Sequence, residues 1–184
     1  MAELREADQR PFWSLAYPVI GKLSVLTLVL CLGGCFKSST ALIDQSNASY
    51  PFKTAELKTD DEPATQILKR EGNVYHLIED GEQRDAILLF YKIADTLYIV
   101  QDSPKNGEAT YLFAKRDNDK IVVQTDCLNI DKGTLERLKI EHDENRKGVF
   151  FTCHVTDLKS LIELGQSPTL WSGETTTIQI ISIE

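Results

Sequence analysis

The chain has 184 residues, 42% of them hydrophobic and 26% charged, with ten Gly and six Pro. That composition excludes collagen-like, low-complexity and wholly disordered classes and suits one core of ordinary domain size. Lys and Arg number 20 against 28 Asp and Glu, a formal net charge of -8, whereas a nucleic-acid module carries a basic stripe to neutralise phosphates, so DNA and RNA are not expected partners.

The first informative stretch is Leu23 to Cys35, LSVLTLVLCLGGC. Its apolar run to Leu32 is broken only by Ser24 and Thr27, follows Lys22, and ends in Gly33 and Gly34. That is the order of a signal peptide: a positive flank, a short apolar region, and small residues at a cleavage point. A helix crossing hydrocarbon takes about 20 apolar residues, more than this run offers. Its end, Leu32-Gly33-Gly34-Cys35, resembles the lipobox of bacterial lipoproteins. The resemblance covers these residues and the apolar run alone. It implies cleavage between Gly34 and Cys35, a diacylglycerol thioether on Cys35, and membrane attachment through acyl chains, each buried CH₂ contributing about 0.8 kcal/mol. By the same resemblance, Phe36 rather than Asp after the lipidated Cys points to the outer membrane, facing the periplasm.

Residues 1–34 are thus expected to be a signal peptide. Its front half departs from the pattern, because Arg5 and Arg10 stand against Glu3, Glu6 and Asp8 where an n-region should be net positive. This points to translation beginning downstream of Met1, near Val19, with residues 1–18 not translated. Residues 35–50 are rich in Ser, Thr, Asn and Ala without periodicity and read as a flexible tether. The triplet Asn47-Ala48-Ser49 within it matches a glycosylation acceptor, which in a bacterial chain is a chance occurrence.

Residues 51–184 read as a β-rich globular domain. From Thr65 onward, runs of β-branched and aromatic residues alternate with turn signals: TQILKR, NVYHLIE, AILLFYKI, TLYIVQ, ATYLFAKR and KIVVQTDC. The connections are short enough for antiparallel hairpins and too short for parallel crossovers. Gly133 to Glu141 fits a short helix or an edge strand. KGVFFTCHV reads as a strand, Thr156 as an N-cap, Leu158, Leu161 and Ile162 as one helical face, and Gly165 as the residue just past its end. TTTIQIISI closes the chain as a strand, with Trp171 as a core plug in the loop before it. The expected fold is mainly β, an antiparallel meander forming a small barrel or curved sheet with one or two short helices.

With Cys31 removed in the signal and Cys35 acylated, Cys127 and Cys153 remain, and an exported even pair favours a disulfide over two reduced thiols or a redox pair. Strand parity places Cys127 with Ile121 and Val123, and Cys153 with Val149, Phe151 and Val155, on the apolar and inward sides of their strands. No GxSxG elbow, phosphate loop, HExxH or EF-hand pattern occurs, so no catalytic, cofactor or metal residues are assigned. Cys153 and His154 project to opposite faces of a strand; His142 lies in a charged turn whose Asp143 and Glu144 lack fixed geometry for a metal. Tyr75, Phe90, Tyr91, Tyr98, Tyr111 and Phe113 suit core packing, and in a barrel also the lining of a ligand mouth.

The expected protein is a lipid-anchored envelope lipoprotein with a non-enzymatic binding or scaffolding role. Three alternatives stand beside it: a lipocalin-like barrel carrying a hydrophobic ligand, an inhibitor of a cationic cell-wall hydrolase steered by the net charge, and an envelope enzyme with dispersed site residues.

Overall fold

The computed structural model of the chain describes residues 36–59, 65–104, 107–144 and 151–184. The residues expected to form a signal peptide and its cleavage site, with Cys35, lie outside them. The elements in order are β1 (Phe36–Ser38), β2 (Thr54–Thr59), β3 (Gln66–Glu71), β4 (Val74–Glu79), the two-residue β5 (Glu82–Gln83), β6 (Ala86–Ala94), β7 (Leu97–Pro104), β8 (Ala109–Asp117), β9 (Lys120–Gln124), α1 (Lys132–Arg137), β10 (Glu141–Glu144), β11 (Phe151–His154), α2 (Leu158–Gly165), a 3₁₀ turn at Leu170–Ser172, and β12 (Thr176–Ile183).

Eight of these strands close an antiparallel barrel: β8 neighbours β7, then β6, β4, β3, β2, β12 and β9 follow, and β9 returns to β8. The period-2 pattern explains why. Register pairs Ala55 with Leu68, Leu68 with Leu77, Tyr75 with Leu88, Phe90 with Val100, Val100 with Leu112 and Ala114 with Val123, so one apolar face of each strand turns inward. These buried side chains form one core, the lumen, completed by Leu57 and Ile178. Local chemistry fixes the hairpins: Asp80 and Gly81 both take positive φ, 51° and 81°, as a tight primed turn between β4 and β5 requires.

β8 is where the wall branches. Its second half, Phe113 to Asp117, pairs with β9 and closes the barrel, while its first half, Ala109 to Tyr111, pairs with β1. β1 in turn pairs with β11 in parallel, the one parallel pairing among the described strands, and β11 pairs with β10; the non-sequential pairings of β1 with β8 and of β12 with β2 and β9 also depart from the expected meander. A second core therefore forms outside the barrel, where the outward side chains Leu89, Ile99, Tyr111 and Phe113 meet Phe36, Ile43, Leu135, Leu161, Leu164 and Leu170.

The segment read as a tether is part of this outer layer. Phe36 and Ile43 are fully buried. The cause is Gln101, a buried amide on the outer face of β7: its Oε1 accepts from Leu42 N (2.9 Å) and Ile43 N (2.8 Å), and its Nε2 donates to Ile43 O (2.9 Å) and Ser103 Oγ (2.9 Å). Tyr111 adds its hydroxyl, which shares a hydrogen bond with Ser38 Oγ (2.7 Å) and accepts from Leu42 N (3.0 Å). Polar side chains of the barrel wall thus satisfy a backbone that its own composition would leave in water.

Three further boundaries differ from expectation. β9 ends at Gln124 because that buried side chain caps the chain: Oε1 accepts from Thr125 N (2.9 Å) and Asp126 N (3.1 Å) while Nε2 donates to Leu170 O (2.9 Å). Cys127 consequently leaves the face it would share with Ile121 and Val123, which line the lumen, and packs in the outer core. In α2 the N-cap is Asp157, accepting from Ser160 N at 2.8 Å, not Thr156, and Gly165 is the last helical residue, not the one beyond. Gly133 to Glu141 resolves into helix α1, capped by Asp131, and the first residue of β10.

Candidate functional site

Cys127 and Cys153 are joined as a disulfide across 26 residues, with Cα atoms 6.4 Å apart. The bond ties the loop after β9 to β11 and is buried in the outer core. The three histidines do not converge. His76 Nδ1 bonds Gln83 Nε2 on the barrel surface (2.9 Å), and His154 Nε2 meets Asp143 Oδ2 (3.1 Å) across β10 and β11, with Asp143 exposed. His142 lies in β10 rather than in a turn. Among the described residues, no group of three or more His, Cys, Asp or Glu side chains is placed to hold a metal ion, and no helix is long and apolar enough to cross a membrane.

The feature with binding geometry is the lumen. Near one end lies a cavity of about 140 Å³ lined by Pro51, Phe52, Ala55, Leu57, Leu68, Phe90, Tyr98, Ala114, Arg116, Ile121, Ile180 and Ile183. Five of these residues, Leu57, Leu68, Phe90, Ala114 and Ile121, also line a deeper cavity of about 50 Å³ that reaches Leu88, Val100, Leu112, Val123 and Ile178. The two voids border on these five side chains in common. An engineered apolar cavity of about 150 Å³ stays dry and takes up benzene, so this space suits a small apolar group better than water. Pro51, Arg116 and Ile183 are exposed on the rim, which makes this end the mouth.

A strap from Ser49 to Lys53 shapes the mouth. Ser49 bridges to Phe90 on β6, its amide bonding Phe90 O at 2.7 Å, and Lys53 O accepts from Arg70 N on β3 (2.8 Å). Between them Phe52 turns into the barrel, its ring 4.8 Å from Tyr75 and 5.6 Å from Phe90. The Tyr75 hydroxyl donates to Phe52 O (2.6 Å), and burial pushes this phenol above its ordinary pKa. On the outside Tyr50 carries the Arg70 guanidinium over its ring at 4.2 Å, a cation–π contact that holds the strap down.

The opposite end of the lumen is polar. Glu79 accepts from Gln66 Nε2 (2.7 Å) and is ion-paired with Arg84. Asp102, whose register partners are Leu88 and Thr110, also faces inward, and its Oδ1 is buried with no hydrogen-bond partner among the described residues. Burial raises the Asp102 pKa, with nearby Arg84 pulling it the other way. Of the aromatics expected to line a mouth, Tyr75, Phe90 and Tyr98 face the lumen, whereas Tyr91, Tyr111 and Phe113 belong to the outer layer. Sequence reasoning missed Phe52, Arg116 and Ile180; the only signal for Arg116 is its even spacing from Leu112 and Ala114.

The chain matches no protein-family profile, no curated protein and no solved structure.

Proposed function

We propose that this protein is a lipid-anchored envelope lipoprotein whose barrel binds a small apolar ligand through its open end. The observation that carries the binding role is the pair of mainly apolar cavities in the lumen beneath an exposed rim. Eight-stranded barrels either fill their interior with side chains or hold one small ligand, and the unfilled space here favours the second. The envelope role rests on Leu32-Gly33-Gly34-Cys35, with Cys35 as the acyl attachment point. The His154–Asp143 pair sits outside the cavity lining and gives a dispersed enzyme site no support from the lumen.

The binding role is tested by titrating the purified chain with 1-octanol while following methyl resonances. Saturable shifts confined to methyls that line the two cavities, among them Leu57, Leu68, Leu112, Ile121 and Ile180, are expected; saturable shifts only outside that lining, or none, overturn it. The anchor is tested by Cys35→Ala, which is expected to abolish palmitate labelling and release the protein from membranes. A second reading, docking to a cationic envelope protein such as a cell-wall hydrolase, is favoured by β10, the terminal strand of the described sheet, which carries Glu141, Asp143 and Glu144. Loss of such a partner on charge reversal at these three positions is its test.

A further inference from the structure

The lumen is electrically polarised along its axis. At the mouth, the lumen-facing ends of β3, β6 and β8 carry Arg70, Lys92 and Arg116, which follow Leu68, Phe90 and Ala114 by two residues each. All three are cations. At the other end the inward ionisable groups of the barrel strands are Glu79 and Asp102. Two of the mouth cations are engaged: Lys92 Nζ pairs with Asp95 Oδ1 (3.1 Å), and Arg70 is held on Tyr50 and by Gly72 O (2.8 Å). Arg116 is different. It lines the cavity, is exposed, and among the described residues its side chain bonds only the Asn118 carbonyl, through Nε at 3.2 Å. Its terminal nitrogens are left to present a planar fork of donors above an apolar well, the geometry that matches a carboxylate or phosphate.

Resting on the reading of the lumen as a ligand site, we propose that the ligand is a single-chain amphiphile with an anionic head, its tail in the lumen and its head on Arg116. The depth is adequate for a tail: Leu112, in the deeper void, lies four residues from Arg116, about 13 Å along the strand. Orientation follows from the polarity. An anion driven to the far end would meet Asp102 and Glu79, with the one cation there, Arg84, already paired to Glu79, whereas at the mouth it meets Arg116, a cation with no carboxylate partner among the described residues. The overall charge of -8 opposes anions at long range, but salt screens exposed charges beyond about 8 Å, so the contact at the rim decides.

The experiment compares 1-octanol, octanoate and octyl phosphate, identical in tail, as ligands of the purified full chain by calorimetry at low salt. The expected result is that at least one anion binds about five- to tenfold more tightly than octanol, the worth of a good charge-assisted hydrogen bond at a partly exposed site. The stronger of the two anions distinguishes a carboxylate from a phosphate source. In Arg116→Met the anion-to-alcohol ratio is expected to fall to about one, and in Arg116→Lys to stay above it. Equal affinities for all three ligands in the wild type overturn this proposal and leave the apolar site standing, as does a preference for anions that survives Arg116→Met. Failure of every ligand to bind overturns both.

Discussion

The wall formed by β6, β7 and β8 carries two cores, one on each side, and they are packed differently. On the lumen side, Phe90, Val100, Leu112 and Ala114 border two voids. On the outer side the fit is close enough that a Cβ placed on Gly165 would meet Ile93 Cδ1 at 2.6 Å and Phe113 at 2.9 Å. The outer side is also cross-braced by the buried amide of Gln101 and by the disulfide. Interiors pack to crystal-like density unless something is to be admitted, so at this wall the contrast separates the closely packed face under α2 from the hollow lumen face; the open recess of about 520 Å³ in the outer layer, between Leu128, Leu135 and His142, is lined by no residue of β6, β7 or β8.

The largest expected effect tests the bracing. Replacing Cys127 and Cys153 with Ser should destabilise by about 3.5 kcal/mol on the chain-entropy model for a 26-residue loop, read as a lower urea midpoint than for the oxidised wild type. An unchanged midpoint would show that the outer layer stands without it. Next is Gln101→Leu, which keeps the volume but strips partners from the Leu42 and Ile43 amides and the Ile43 carbonyl. A loss of about 2–4 kcal/mol is expected, with protease cleavage appearing within residues 39–48 before the barrel is cut. If the barrel strands are cut first, the two layers are one cooperative unit.

The comparison sharpens with two small-to-large changes. Gly165→Ala, on the tight side, should cost about 1–3 kcal/mol because Phe113 and Ile93 must both shift. Ala114→Val, on the hollow side, should change stability by less than about 1 kcal/mol while weakening octanol binding, because the added methyls enter the void that both cavities share. Equal costs would erase the distinction. The smallest effect is at Asp102. Burial raises its pKa, so folding prefers the protonated form, and the stability this carboxyl allows at acid pH is lost as pH rises from its ordinary value through the raised one. Asp102→Asn should therefore gain on the wild type as pH rises through that window and match it below, by thermal melts; a gain at low pH would contradict this.

Much of the barrel was legible because its strands obey a rule that single residues can carry. In β3, β4, β6, β7, β8 and β12 runs rich in Ile, Val, Leu, Tyr and Phe stand between turn signals, and these runs are strands close to their predicted limits. β2 is fainter: only Ala55 and Leu57 are apolar on its inward face, between Glu56 and Lys58, so a run that is one-third charged hides a buried strand. The segment 36–50 was not legible at all, because what orders it is not in it. Its backbone is satisfied by Gln101 and Tyr111, far along the chain, and Ser, Thr and Asn look alike whether bonded to protein or to water. The cysteine pairing was readable from compartment and count. The face of Cys127 was not, since the turn set by Gln124 breaks the parity on which that reading relied.

The branch in β8 also orders events in time. β1, near the beginning of the described chain, pairs with β8 on one side and with β11, near its end, on the other, Phe36 standing beside both Tyr111 and Cys153. The barrel strands β2, β3 and β4, and likewise β6 to β9, meet their neighbours across short turns, whereas β1 must wait for partners made much later, a long loop closure that slows folding. In pulse-labelled hydrogen exchange, amides of β6, β7 and β8 should gain protection before those of β1 and β11; the reverse order would contradict this. The pairing of β1 with β11 and the pairing of β12 with β2, both between strands more than a hundred residues apart, are thus the late seams to shut, and until β1 docks, the outward faces of Ile99, Tyr111 and Phe113 are the surface on which a half-made molecule would aggregate.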